Sequence, residues 1–290
     1  MFRNAQLAAL TAIIKTGSFE AAASRLGLTQ SAISQRIRTL ENTFGAPVVE
    51  RTIPIKPTTL GARLAAHADT IDRLNSELAQ ELGHDQELTI GLAVNADSVD
   101  TWFLPALSGI ENCTFHIKIE DQDHSAELLR RGEVAAAVTT RADPVHGADV
   151  IPLGALRYLA TASPHFARSH FAEGPTPRAL STSPALVFSS KDTLQSEWAR
   201  RACGQRISLN AHYLPSTQGF VTAAKLGIGW GLNPEPLVRD AIKKGELINL
   251  APHLPFDTPL FWQSSRIGRG ALSELTKNVK SAARRYLIRS

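Results

Sequence analysis

Leu7, Leu10 and Ile14 recur at three- and four-residue steps, which predicts a helix from about Asn4 to Lys15, stopped by Gly17. Ser18 is a suitable N-cap for a second helix through about Leu26, with Phe19, Ala22, Ala23 and Leu26 facing inward and Gly27 ending it. Thr29 then caps a third helix that runs to Phe44 before Gly45. In that helix Ile33, Ile37, Leu40 and Phe44 form one buried stripe. Ser31, Ser34, Gln35 and Arg38 point roughly 140° away from it, at 100° per residue. Two helices joined by a short turn, the second anchored on one face and offering Ser, Gln and Arg on the other, describe a helix-turn-helix. Such a helix fits a major groove, where Gln pairs with adenine and Arg with guanine. An ordinary solvated helix face is the alternative. PVVERTIPIKPT weighs against it, because two short extended segments carrying Arg51 and Lys56 make a basic wing, with Pro54 and Pro57 barring a helix there.

From Thr58 to about Leu82 a proline-free helical pattern places Leu60, Leu64, His67, Ile71, Leu74 and Leu78 on a heptad seam. So narrow a seam favours a partner helix over the surface of its own chain. Gly83 to Gln86 reads as a hinge.

Beyond Glu87 the period changes. ELTIGLAV, FHIKI, VAAAV and RYLATA are strand-like and alternate with helical TWFLPALSGI and SAELLRRG. A second unit begins near Thr161 with ALVF, a helix around Leu194 to Cys203, HYL, a helix from about Gln218 to Leu226, and IGWGL. The last helix, about Ala271 to Ile288, is expected to return to the first unit. This βαβ order predicts an α/β, periplasmic-binding-protein-like domain of two lobes, with a ligand in the cleft at the strand ends. Candidate contacts there are Asn95, Asp97, Ser98, Glu120, Asp121, Asp123, Thr139, Ser216, Thr217 and Trp230. Two acidic clusters on one sheet edge suit a cation, and a helix start at Ser216 and Thr217 suits a carboxylate.

The composition narrows the class. Of 290 residues 43% are hydrophobic and 20% charged, which fits a folded, soluble chain. No apolar run approaches the roughly 20 residues of a membrane span. MFRNAQLAAL lacks the layout of a signal peptide, and two distant cysteines, Cys113 and Cys203, fit a reducing cytoplasm. A net charge of +4 allows a nucleic-acid partner without requiring one. The sequence lacks G-x-S-x-G, G-x-x-x-x-G-K-[ST] and H-E-x-x-H, and its histidines are scattered, so neither an enzyme, a cofactor nor a metal site is expected.

GSFEAAASRLGLTQSAISQRIRTLENTFGAPVVER followed by KPTTLG resembles the DNA-binding domain of LysR-type transcriptional regulators. The resemblance implies a winged helix-turn-helix at 2–58, a linker helix and hinge at 59–86, and an effector domain at 87–290, with lobe I at about 87–160 and 267–290 and lobe II at about 161–266. Carried over by position, Gln30, Ser31, Ser34, Gln35 and Arg38 face double-stranded DNA, with Arg51, Lys56 and Thr58 on its backbone. It further implies a homodimer through the linker helix, a homotetramer using the effector domains, and RNA polymerase as a further partner. VNADSVDTWFLPAL, RRGEVAAAVTT, LGALRYLATASPHFA and GELINLAP are similar to the ArgP/LysG branch of that family, also described as inhibitors of chromosome initiation. That branch implies a lysine or arginine effector and control of basic amino-acid export. Asp100 and Asn233 depart from the branch pattern. A plain small-molecule-binding protein and a nonspecific nucleoid-binding protein are the other classes considered.

Overall fold

The computed structural model describes residues 4–82, 88–120 and 122–289, apart from the side chains of residues 77, 80, 81, 122–124 and 271. The N-terminal unit is α1 (Asn4–Thr16), α2 (Phe19–Leu26), α3 (Gln30–Phe44), and a two-stranded wing of β1 (Val49–Glu50) and β2 (Lys56–Pro57). The caps act as their residue types predict. Ser18 Oγ accepts from the Glu20 and Ala21 amides, Thr29 Oγ1 accepts from the Ala32 amide, and Gly27 and Gly45 are left-handed at the two C-termini. Leu7, Leu10, Ile13, Ile33, Ile37 and Leu40 pack into one core. Glu41 Oε1 accepts from the Val48 amide and the Ile55 amide donates to Gly17 O, so the wing is tied to both ends of the helix pair.

The linker helix is α4 (Thr59–Glu81); the hinge expected at Gly83 to Gln86 lies outside the described residues. Its heptad seam divides in two. Leu60, Leu64 and Ile71 join the core of their own N-terminal unit, while Leu74 is 44% and Leu78 55% exposed. One face serves two purposes because its first half lies against α1 and the wing. A Cβ on Gly61 would stand 1.8 Å from Val48 O, so α4 reaches the wing only with glycine there.

The C-terminal unit contains β3 (Leu88–Val94), α5 (Ala96–Ser98), β4 (Cys113–Ile119), α6 (Gln122–Arg130), β5 (Ala136–Thr139) and β6 (Ala148–Ala162). It continues through α7 (Pro164–His170), α8 (Pro177–Thr182), β7 (Pro184–Val187), α9 (Leu194–Cys203), β8 (Asn210–Tyr213) and α10 (Thr217–Lys225). β9 (Gly231–Pro234), α11 (Glu235–Lys243), β10 (Ile248–Asn249), β11 (Phe256–Ser265) and α12 (Arg269–Tyr286) complete it. TWFLPALSGI is helical as expected, but as a π turn (Val99–Phe103) followed by a 3-10 turn (Leu104–Leu107).

β3 pairs in parallel with β4 and β5, and β11 runs antiparallel between β5 and β6. At its far end β6 pairs with β9 and β10, and β7 and β8 form a small parallel sheet beside it, bridged at Ala185–Trp230. The two long strands β6 and β11 therefore run through both lobes. Their pairing shifts register at a bulge between Leu260 and Phe261. α12 returns to the first lobe, where Leu272, Leu275 and Val279 share a core with Trp102, Phe103 and Trp262. Among the described residues, no helix is long and apolar enough to cross a membrane.

Candidate functional site

Two surfaces have the chemistry the sequence predicts. On α3, Gln30, Ser31, Gln35 and Arg38 are exposed and Ser34 is half-buried, while Ile33, Ile37 and Leu40 are buried behind them. Arg51 and Lys56 are exposed on the wing, whose tip carries a wholly exposed Ile53. Thr58 is half-buried, just ahead of α4. Its hydroxyl donates to Pro47 O at 2.8 Å and accepts from the Gly61 amide at 3.1 Å, so it caps α4 and fixes the wing. Arg36 turns away from the exposed face and donates to Ala5 O.

The second surface is a cavity of about 640 Å³ between the lobes. Asn95 and Asp97, from the turn after β3, line it together with Glu120 and Thr217. Asp97 is its best-defined group. Tyr158 Oη donates to Asp97 Oδ2 at 2.7 Å, and Thr217 Oγ1 donates to Oδ1 at 2.7 Å. Burial raises the Asp97 carboxyl above its usual range; the Thr217 and Tyr158 hydrogen bonds pull it back, and Asp192 and Asp100 push it further up. Tyr158 is itself held well above the ordinary phenol value, by burial first and then by the Asp97 charge. This hydroxyl therefore stays a donor at working pH.

The remaining expected contacts separate. Ser216 is exposed and caps α10 by accepting from the Gly219 amide, which places it off the cavity wall. Ser98 and Thr139 are fully buried and also absent from the wall; Thr139 Oγ1 instead lies at 3.3 Å from Gln263 Nε2. Trp230 is a core residue, with its ring 5.3 Å from that of Trp198 and edge-on to Phe171. Its flanking glycines let Leu186 pack closely, which explains the GIGWG pattern without a ligand. Asp121 and the side chain of Asp123 lie outside the described residues. Of the two departures from the branch pattern, Asp100 is exposed, and Asn233 is buried and donates to Thr161 Oγ1.

Sequence reasoning missed much of the second lobe's share of the wall. Phe188, Asp192, Gln195, Glu197 and Arg201 come from the turn before α9 and from α9 itself, and Phe256 and Thr258 come from β11. Asp192 accepts from the Phe188 and Leu194 amides and so shapes that turn. Arg201 lies over the Phe256 ring, 4.2 Å from its centroid. An Asp just ahead of a helix in SSKDTLQ was the available signal for the turn. The acidic share of the wall suits a cation, Arg201 and Lys191 suit a carboxylate, and Phe188, Phe220, Leu232 and Phe256 suit an aliphatic chain between them.

Comparison with known proteins covers both units. Residues 5–62 match the bacterial regulatory helix-turn-helix protein model of the lysR family, and residues 83–284 match the LysR substrate binding domain. The transcriptional regulator LysG of Mycobacterium tuberculosis is 41% identical over 281 residues, spanning 96% of this chain and 92% of that one. The crystal structure of ArgP from Mycobacterium tuberculosis superposes with a TM-score of 0.85 at 40% identity, covering 98% of each chain. Full-length LysG from Corynebacterium glutamicum with bound effector Arg superposes with a TM-score of 0.71 at 37% identity, covering 99% of this chain and all of that one. With a winged helix-turn-helix joined by a long helix to a two-lobed binding domain, and with both family models matched, the chain belongs to the LysR family of DNA-binding transcriptional regulators.

Proposed function

We propose that this regulator senses a basic amino acid, lysine or arginine, in the cavity between its lobes, and that the ligand changes how it engages a promoter controlling an amino-acid exporter gene. The observation that carries the reading is Asp97, a carboxylate on the cavity wall gripped by donors from β6 and α10. Two donors on an anion leave lone pairs for a ligand cation. Arg bound as effector to a relative 37% identical to this chain supports the same class. Gln30, Ser31, Ser34, Gln35 and Arg38 read bases, and Arg51 and Lys56 hold phosphates. The chain divides at 2–58, 59–86 and 87–290 and works in the cytoplasm. Exposed Leu74 and Leu78 pair two linker helices into a dimer; pairs of dimers and contact with RNA polymerase complete the scheme.

The test is fluorescence anisotropy with a labelled promoter fragment from upstream of a candidate exporter gene. Arginine or lysine is expected to shift the binding curve or the footprint, and norleucine to do neither. Identical curves with and without both basic amino acids would remove the regulatory link.

A further inference from the structure

Three buried oxygens without a hydrogen-bond partner among the described residues belong to side chains that line this one cavity. They are Asn95 Oδ1, Gln195 Oε1 and Thr258 Oγ1. The side chains are buried, at 7%, 1% and 8% exposure. They come from separate parts of the fold: Asn95 follows β3 in the first lobe, Gln195 sits in the first turn of α9 in the second, and Thr258 is on β11. Asn95 occupies the N-cap position of α5 but makes no side-chain cap bond, so local structure does not use its oxygen. A buried acceptor left without a donor costs free energy that a ligand N–H would recover. Each amide can turn about its terminal torsion to bring its oxygen to the cavity.

We propose that Gln195, assisted by Asn95 and Thr258, determines effector specificity in this cavity and selects a guanidinium over an ammonium. The inference rests on the reading of the cavity as a basic amino-acid site. An ammonium carries three N–H donors around a point, whereas a guanidinium carries five in a planar fork. The wall already offers Asp97, Glu120, Asp192 and Glu197 to a cation. Unmet neutral oxygens from both lobes add acceptors beyond what one ammonium serves. A fork that reaches them holds the two lobes together as it binds. A site built to hydrogen-bond a group discriminates strongly against a ligand that lacks it.

The experiment is calorimetric titration of the full-length protein with arginine and with lysine, for wild type, Gln195→Met and Gln195→Glu. Wild type is expected to bind arginine more tightly. Gln195→Met keeps the length and removes the acceptor, so arginine affinity should fall about tenfold or more, with lysine changed by less than about threefold. Without ligand the Met variant should melt no lower than wild type, since it removes an unmet buried acceptor. Gln195→Glu keeps an acceptor and should keep the preference for arginine, which serves as the deciding variant if the Met protein does not fold. Equal losses for both ligands, no change for either, or a Glu variant that binds the two alike would overturn the selection while leaving the basic amino-acid site standing. If neither amino acid bound wild type, the reading of the cavity would fall and the inference with it.

Discussion

Tyr158 Oη donates to Asp97 Oδ2 at 2.7 Å, joining the crossing strand β6 to the turn that leaves β3. Thr217, at the start of α10, holds the other oxygen at the same distance. The carboxylate is thereby fixed from both lobes. Asp97→Asn keeps the shape and lets the amide oxygen accept from Tyr158, but it removes the charge. Affinity for lysine and arginine should fall by about 3 kcal/mol, a little over a hundredfold. DNA binding without ligand should be unchanged, and titration calorimetry beside a gel shift checks both.

The same carboxylate predicts a pH signature. Burial raises its folded pKa, so its contribution to stability is present at low pH and lost as pH rises through the folded value. A ligand cation needs the ionised form. Effector affinity should therefore fall as pH drops through that raised value, at a pH above the ordinary carboxylate range. Cation binding there should release protons. Calorimetry in two buffers of different ionisation heat measures the release, and Asp97→Asn should abolish it.

On α3, Gln35 and Arg38 are exposed above the buried Ile33, Ile37 and Leu40. Gln35→Ala should cost about 1–3 kcal/mol at the specific site and relax base preference. Lys56→Ala on the wing should weaken all sequences alike and lower the salt slope by about one. Binding curves across several salt concentrations distinguish the two. An unchanged ratio of specific to nonspecific affinity in Gln35→Ala would mean that another helix reads the groove.

In the proposed dimer, the divided seam of α4 separates assembly from folding. Leu64 and Ile71 pack in the N-terminal unit, so charges there would unfold it. Leu74 and Leu78 are exposed in the single chain, so Leu74→Asp with Leu78→Asp should leave the fold intact and weaken the dimer. Sedimentation at micromolar concentration should show monomer for this variant, with operator affinity lost in parallel.

Gly61→Ala should destabilise the N-terminal unit by about 2 kcal/mol or more, despite the helix preference of alanine, because its Cβ would meet Val48 O. Thermal melting checks the loss.

The sequence made the N-terminal unit legible because each boundary there is set locally. Ser18, Thr29, Gly27 and Gly45 cap their helices through neighbours a few residues away. In the C-terminal unit the same clarity held for β3 and β5, whose apolar runs are buried, and for α9, which begins and ends where its pattern does. β11 went unread, because Phe256 to Ser265 mixes Asp, Thr, Pro and Gln with apolar residues and its pairing depends on the distant β5 and β6, which lie at 136–139 and 148–162. Asp97 was legible as a carboxylate at a strand end. Tyr158, Gln195 and Thr258 were not, because only the crossing strands and the α9 turn bring them to the same wall. Trp230 misled for the opposite reason. Its glycine neighbours signal close approach, and the approach is by Leu186 in the core.

The cavity around Asp97 is proposed to recognise a cationic amino acid. Titration calorimetry of the wild-type, full-length protein with lysine, arginine and norleucine tests it most directly, since norleucine keeps the α-amino acid and an aliphatic chain but has no side-chain cation. Saturable binding of lysine or arginine, with norleucine weaker by about tenfold or more, is the predicted result. Norleucine binding as tightly as either basic amino acid would contradict it.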